Sequence, residues 1–292
     1  MVGVTTRSMR RFGSREARAE RHFGDVMRGF VFLFLVASFL VGCGNPPPDV
    51  DPPHNDAGPD TSVPAGPGIA GTLKDHADQP IGGGKVLACM ATLCLFGDAA
   101  PDGVFFFPIE PTAEVALKTL PDPWATPRKA AALCPVRIVD SSLINVGALH
   151  VPTLPEGALL GPAAQDPQTL MAGDGLVLTL RVADLTAPLG DTLVDVAARR
   201  VPASQVCPLL TPPGEELVAV YALHPFAAVS TSAIAVKVPS DLPAGTKVRF
   251  RTVSEIDGTF SDPVPGEADG ASVATAPETG IHELTWLLIT RE

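Results

Sequence analysis

Aromatic side chains make up only 5% of this 292-residue sequence, with a single Tyr and two Trp. A ring-lined carbohydrate platform has little material to draw on, and Trp286 and Phe250 read as core anchors. Basic residues are scarce as well, 21 Lys and Arg against 32 Asp and Glu, for a formal charge of -11. Seven arginines lie within residues 1–42, so the remainder is more acidic still. Such a surface repels phosphate backbones, and no basic cluster with interleaved aromatics offsets it, so nucleic acid is excluded as a partner.

A sustained 3.6-residue apolar period is missing beyond residue 43, which excludes a helical bundle; only Arg128–Leu133 reads as a short helix. Catalytic signatures are missing too. There is no Gly-x-Ser-x-Gly and no His-Glu-x-x-His, and Gly280-Ile-His282-Glu283 lacks a second histidine. Glu215 and Glu216 are paired in sequence only, because adjacent strand residues point to opposite faces. Gly82-Gly83-Gly84-Lys85 lacks the phosphate-loop spacing and runs into a strand. Asp49, Asp51, Asp56 and Asp60 lack the order of a calcium loop. His150 stands alone. No catalytic residue, cofactor or metal site is expected, and the chain reads as a non-enzyme.

What is plentiful is Gly (27), Pro (31) and, within a 46% hydrophobic content, Val, Ala and Leu. Short strands joined by tight turns follow from that mixture, so the expected class is mostly β. In Lys247-Val-Arg-Phe-Arg251 charge and apolar residues alternate, giving one buried and one wet face. Similar short strands recur between Leu176 and Ile289, predicting a β-sandwich-like domain over 170–292.

One segment departs from all this. After Arg28, the uncharged apolar run Phe30–Val41 ends in Leu40-Val41-Gly42-Cys43. About a dozen residues suit a signal-peptide core and fall short of the ~20 that span a bilayer. This ending resembles the lipobox of bacterial lipoproteins, a resemblance that implies cleavage before Cys43 and acylation of that cysteine. Residues 1–42 then form a leader and signal peptide, with a compact signal starting at Met27. Gly44, where an aspartate is absent, resembles lipoproteins released to the outer membrane. Residues 43–67, rich in Pro and Asp, read as a disordered, polyproline-like tether.

The stretch 68–160 carries a second resemblance. Gly68, Gly71, Pro80, Ile81, Gly83, Val86, Asp102, Gly103 and Phe105 fall on the pattern of the carboxypeptidase regulatory-like domain, a small transthyretin-like β-sandwich. The chain departs from that pattern at Glu114-Val-Ala-Leu-Lys118, where a Tyr-x-Leu/Val strand belongs. In such families the module serves as a spacer or adhesion-like unit.

With Cys43 set aside, Cys89, Cys94, Cys134 and Cys207 remain, an even number suited to two disulfides in an exported protein. Cys89 and Cys94 bridge if they oppose each other across a hairpin, whereas one continuous strand would put them on opposite faces. The favoured pairing is Cys89–Cys94 with Cys134–Cys207; the other two connectivities stay open. The sequence thus describes a membrane-anchored envelope lipoprotein, held through lipid at Cys43 and serving as a structural or interaction module for an envelope protein or polysaccharide. A glycan- or peptide-binding protein is the alternative, and a hydrolase with an unrecognised site is a third.

Overall fold

The computed structural model of the protein describes residues 66–109, 113–163, 166–188 and 192–291. The expected leader and signal peptide, Cys43 and the expected tether as far as residue 65 lie outside the described residues. Almost every element is a strand, as the Gly, Pro and β-branched content predicts. In chain order these are β1 (Gly68–Asp75), β2 (Lys85–Met90), β3 (Leu93–Asp98), β4 (Val104–Phe107), β5 (Ala113–Lys118), β6 (Leu133–Ile138) and β7 (Leu143–Val151). Next come β8 (Ala158–Leu159), β9 (Gln168–Gly173), β10 (Leu176–Leu180), β11 (Leu185–Thr186), β12 (Asp195–Arg200) and β13 (Glu216–His224). The chain ends with β14 (Ala228–Pro239), β15 (Lys247–Val253), β16 (Val264–Ala268), β17 (Ser272–Thr275), β18 (Ile281–Leu284) and β19 (Trp286–Arg291).

The first seven strands form two sheets, ordered β4-β1-β7 and β3-β2-β5-β6. β1 runs antiparallel to β4 and parallel to β7. The Pro101-Asp102-Gly103 turn that feeds β4 needs its glycine: Gly103 sits at φ +83°, and a Cβ there would lie 2.5 Å from the Leu73 carbonyl. β2 and β3 make a hairpin turning at Ala91-Thr92, with Cys89 directly opposite Cys94. The continuous-strand reading of the two cysteines is thereby overturned.

The later strands build one large sheet ordered β8-β12-β13-β19-β15-β16-β17-β14-β10-β9, with β11 and β18 also paired to β14. This sheet curls back on itself. At Gly173, near the end of β9, a Cβ would lie 2.5 Å from the Ala198 carbonyl of β12.

Burial explains why the central strands of this sheet are apolar on both faces. Along β19, Trp286 and Leu288 enter one core, while Leu287 and Ile289 enter another. β13 divides in the same way, with Val220 and Ala222 on one side and Ala219, Tyr221 and Leu223 on the other. The first core also holds Ile69, Leu73, Phe105, Leu117 and Ile138, so it joins residues of the stretches 68–160 and 170–292. The second is built from later strands alone, with Phe250, Leu178 and Val236 among its members. Continuous apolar runs are what period-2 geometry demands of a strand covered on both sides. All of these residues belong to a single compact unit, Ala57–Glu292.

Arg128–Leu133 is not helical. Ala130, Ala131 and Ala132 are fully buried in extended chain. Their stretch bonds sideways rather than along itself: Ala130 N donates to the Pro152 carbonyl at 2.9 Å and Thr119 N to the Ala132 carbonyl at 3.1 Å. Alanine's helix propensity, worth under ~1 kcal/mol per residue, yields to this tertiary pairing and burial.

Candidate functional site

An open groove of about 870 Å³ lies across β15, β16 and β19. Its lining includes Lys247, Arg249, Glu216 and Arg291, with Pro263, Pro265 and Gly266 along one wall. The alternation of β15 sends Val248 and Phe250 into the core and leaves the charges between them on the groove side. Each long cation there is held. Lys247 pairs with Glu267 across the β15–β16 ladder. Arg291 donates to both carboxylate oxygens of Glu216 at 2.8 Å. Arg249 donates to Glu215 at 3.1 Å.

Glu215 anchors the floor. Its Oε1 accepts from Arg249 and, at 2.9 Å, from Arg251, and its Oε2 accepts from the Thr290 hydroxyl at 2.6 Å. Only 6% of its side chain is exposed. Burial opposes ionisation, but the hydrogen bonds from Arg251, Thr290 and Arg249 outweigh it and hold the carboxyl down to about 2. Glu216 takes a separate partner in Arg291, so the two adjacent carboxylates diverge and form no acid–base pair.

Three other charged clusters lie elsewhere. Lys118, at the end of β5, is buried and donates to the Glu255 carbonyl at 2.7 Å and to the Glu255 carboxylate. Burial draws its ammonium down to about 8, against the pull of Glu283. Glu283 is pushed up by burial and by Asp257, with Lys118 opposing. A second cluster joins Arg128, Asp195 and His224: Arg128 forks onto Asp195 at 2.7 and 3.3 Å, and His224 Nε2 lies 3.6 Å from the same carboxylate. Burial, then the Arg128 charge, lowers the His224 pKa, and no hydroxyl or thiol among the described residues is hydrogen-bonded to this ring. In the third, His150 is buried and bonds Asp78 at 2.9 Å; that bond is the main reason the Asp78 carboxyl is lowered. Each of the three ties together charged groups from distant parts of the chain.

Of the residues singled out in the sequence, Cys43 lies outside the described residues. Cys89 and Cys94 are paired, their Cα atoms 3.9 Å apart. Cys134 of β6 is paired with Cys207, Cα to Cα 5.6 Å, tying the first sandwich to the loop after β12. Trp286 and Phe250 are both core residues, but in different cores. Among the described residues the exposed rings are Trp124, at 91%, and Phe96, at 72%. No group of three or more His, Cys, Asp or Glu among the described residues could hold a metal. The groove was legible only as the charged face of Lys247–Arg251. Its counter-charges come from elsewhere, Glu216 from β13, Glu215 from the residue before it and Glu267 from β16; the Glu215-Glu216 pair stood out in the sequence, but nothing there joins it to this face. No family model matches the chain, and no curated protein matches it either.

Proposed function

We propose that the protein is a lipid-anchored lipoprotein of the bacterial envelope, working as a non-catalytic interaction module whose binding surface is the β15–β16–β19 groove. The groove itself carries this reading. Its charges of both signs are fixed by ion pairs and set out along strands, where they can meet successive units of an extended peptide or polysaccharide. A small substrate held for chemistry calls for convergent groups in a closed pocket instead. The lipobox Leu40-Val41-Gly42-Cys43 supports the anchor and Gly44 the outer membrane. With ~0.8 kcal/mol per buried methylene, three acyl chains hold far more firmly than one. The two-sheet sandwich of β1–β7 agrees with the spacer role that the carboxypeptidase regulatory-like resemblance implies.

A second reading, glycan binding, is favoured by one observation: Trp124 stands almost fully exposed on the turn between Asp122 and Lys129. Trp124→Ala separates the two readings, because only a glycan site on this turn, and not the groove, depends on that ring.

Crosslinking on intact cells tests the proposal. Cys43→Ala should abolish acyl labelling, and unchanged labelling sinks the anchor. A Lys247→Glu/Arg291→Glu variant should keep its acyl label and lose the crosslinked species. If it gives the wild-type crosslinking pattern, the groove is not the binding surface.

A further inference from the structure

β13 has a strand beside it along only part of one edge. On the β19 side its pairing runs from Glu216, opposite Arg291, to Ala222, opposite Trp286. On the β12 side the ladder reaches only from His224, opposite Ala197, to Tyr221, opposite Arg200. One further bond, from Val201 N to the Val220 carbonyl at 2.9 Å, ends it. Among the described residues no strand lies beside residues 216–219 on that side.

The sequence accounts for the opening. Pro202 has no N–H with which to carry the ladder on, and the chain turns away there through Ala203–Gln205. Cys207, paired with Cys134, and the buried Leu210 hold this connection on the first core. A bulge between Leu217 and Ala219 marks the same stretch of β13, sending Leu217 toward the first core and Val218 toward the second. A recess lies on each face of the open edge, and Leu217 and Val218 line both. One, of about 340 Å³, is walled chiefly by Val201, Pro202, Ala203 and Val206, on the side of the first core. The other, of about 370 Å³, lies on the side of Leu242, which packs on the second core, and presents Arg200, Asp241 and the Glu216–Arg291 pair.

We infer that this edge takes up an extended peptide as an added strand. The N–H and C=O groups of a strand edge pair in register only with another strand, which a polysaccharide does not supply. Residues 216–219 offer about 13 Å of edge at ~3.3 Å per residue. Successive side chains of an added strand point to opposite faces. Apolar ones therefore meet Val201 and Val206, and the charged ones between them meet Arg200 and Asp241. The partner is a protein segment in which apolar and charged residues alternate. Glu216 and Arg291 line both the polar recess and the large groove. The open edge thus continues the groove, and the peptide assignment rests on the groove being the binding surface.

The full-length protein, solubilised in detergent, is titrated by fluorescence anisotropy with a short labelled peptide in which valine alternates with glutamate and lysine. Binding should saturate, and a dextran oligosaccharide should not displace the peptide. Only one alternating set of amides in an added strand faces β13, so N-methylation of that set should weaken binding about tenfold or more and N-methylation of the other should not. Ala203→Asp, at an exposed position, should weaken it about as much by placing a carboxylate in the apolar recess, with an unchanged thermal transition. Lys247→Gln, farther along the groove, should leave it unchanged. No saturable binding, displacement by dextran, or equal effects of the two N-methylated peptides would overturn the strand addition. Crosslinking on intact cells keeps the two readings apart. If Ala203→Asp gives the wild-type crosslinks while Lys247→Glu/Arg291→Glu loses them, the groove stands and the β13 edge falls.

Discussion

Trp286 Nε1 donates a 2.8 Å hydrogen bond to the carbonyl of Ala131, a residue 155 positions earlier. Both are buried, Ala131 completely and Trp286 to within 1%. The indole fills the core shared by the first sandwich and the large sheet, and its N–H satisfies an extended segment that has no strand partner at that carbonyl. A lone buried acceptor is costly, so this bond and the packing around it fix how β19 lies on the Lys129–Leu133 segment.

Trp286→Phe should therefore cost about 2–4 kcal/mol, part from the smaller ring and part from the stranded Ala131 carbonyl. Trp124→Phe, at a ring that is 91% exposed, should change stability by less than about 0.5 kcal/mol. Urea unfolding of the two variants provides the comparison, and equal midpoints would refute the role given to Trp286.

The two cysteine pairs should differ in what they contribute. Cys134–Cys207 spans 73 residues and Cys89–Cys94 only five. On loop-closure entropy alone, removing the first should cost about 4 kcal/mol and removing the second about 2. Cys134→Ala/Cys207→Ala and Cys89→Ala/Cys94→Ala variants, compared by thermal unfolding, give the ranking. Non-reducing peptide mapping should recover both pairs, and four free thiols would remove the basis for either figure.

Gly103→Ala should lower stability by about 1–3 kcal/mol. The φ of +83° disfavours any side chain, and the new Cβ would press on the Leu73 carbonyl, which is backbone and cannot swing aside. Gly245→Ala is the control: its φ is +84°, but nothing lies within 4 Å of the added Cβ. A loss at Gly103 no larger than at Gly245 would show that the close approach costs nothing.

Legibility in the sequence followed the range of the cause. Alternation in Lys247–Val253 is set by a local periodicity, and the observed burial follows it. The Cys89–Cys94 hairpin is equally local. Arg128–Leu133 misled because its alanines carry a helical propensity that only distant partners, Pro152, Thr119 and Trp286, override. Trp286-Leu-Leu-Ile289 announced a buried strand but not that its two faces serve two cores. The groove's ion pairs join residues tens of positions apart, and no spacing rule connects them.

Glu215 gives the acid limb of the stability curve. Its folded pKa is held near 2, below the 4.5 of the free side chain, so the unfolded chain takes up the proton first as pH falls. The stabilisation it supplies is therefore complete above about pH 4.5 and drains away between there and about pH 2. Glu215→Gln removes the charge that Arg249 and Arg251 share and should lower stability at neutral pH by on the order of 2 kcal/mol. The gap between wild type and variant should narrow below pH 4.5 as the wild-type carboxyl begins to lose its advantage. Denaturant unfolding of both proteins between pH 7 and pH 3 measures that gap. A difference as large at pH 3 as at pH 7 would mean that the hub holds by packing, and that the Glu215 charge has no part in fixing the groove floor.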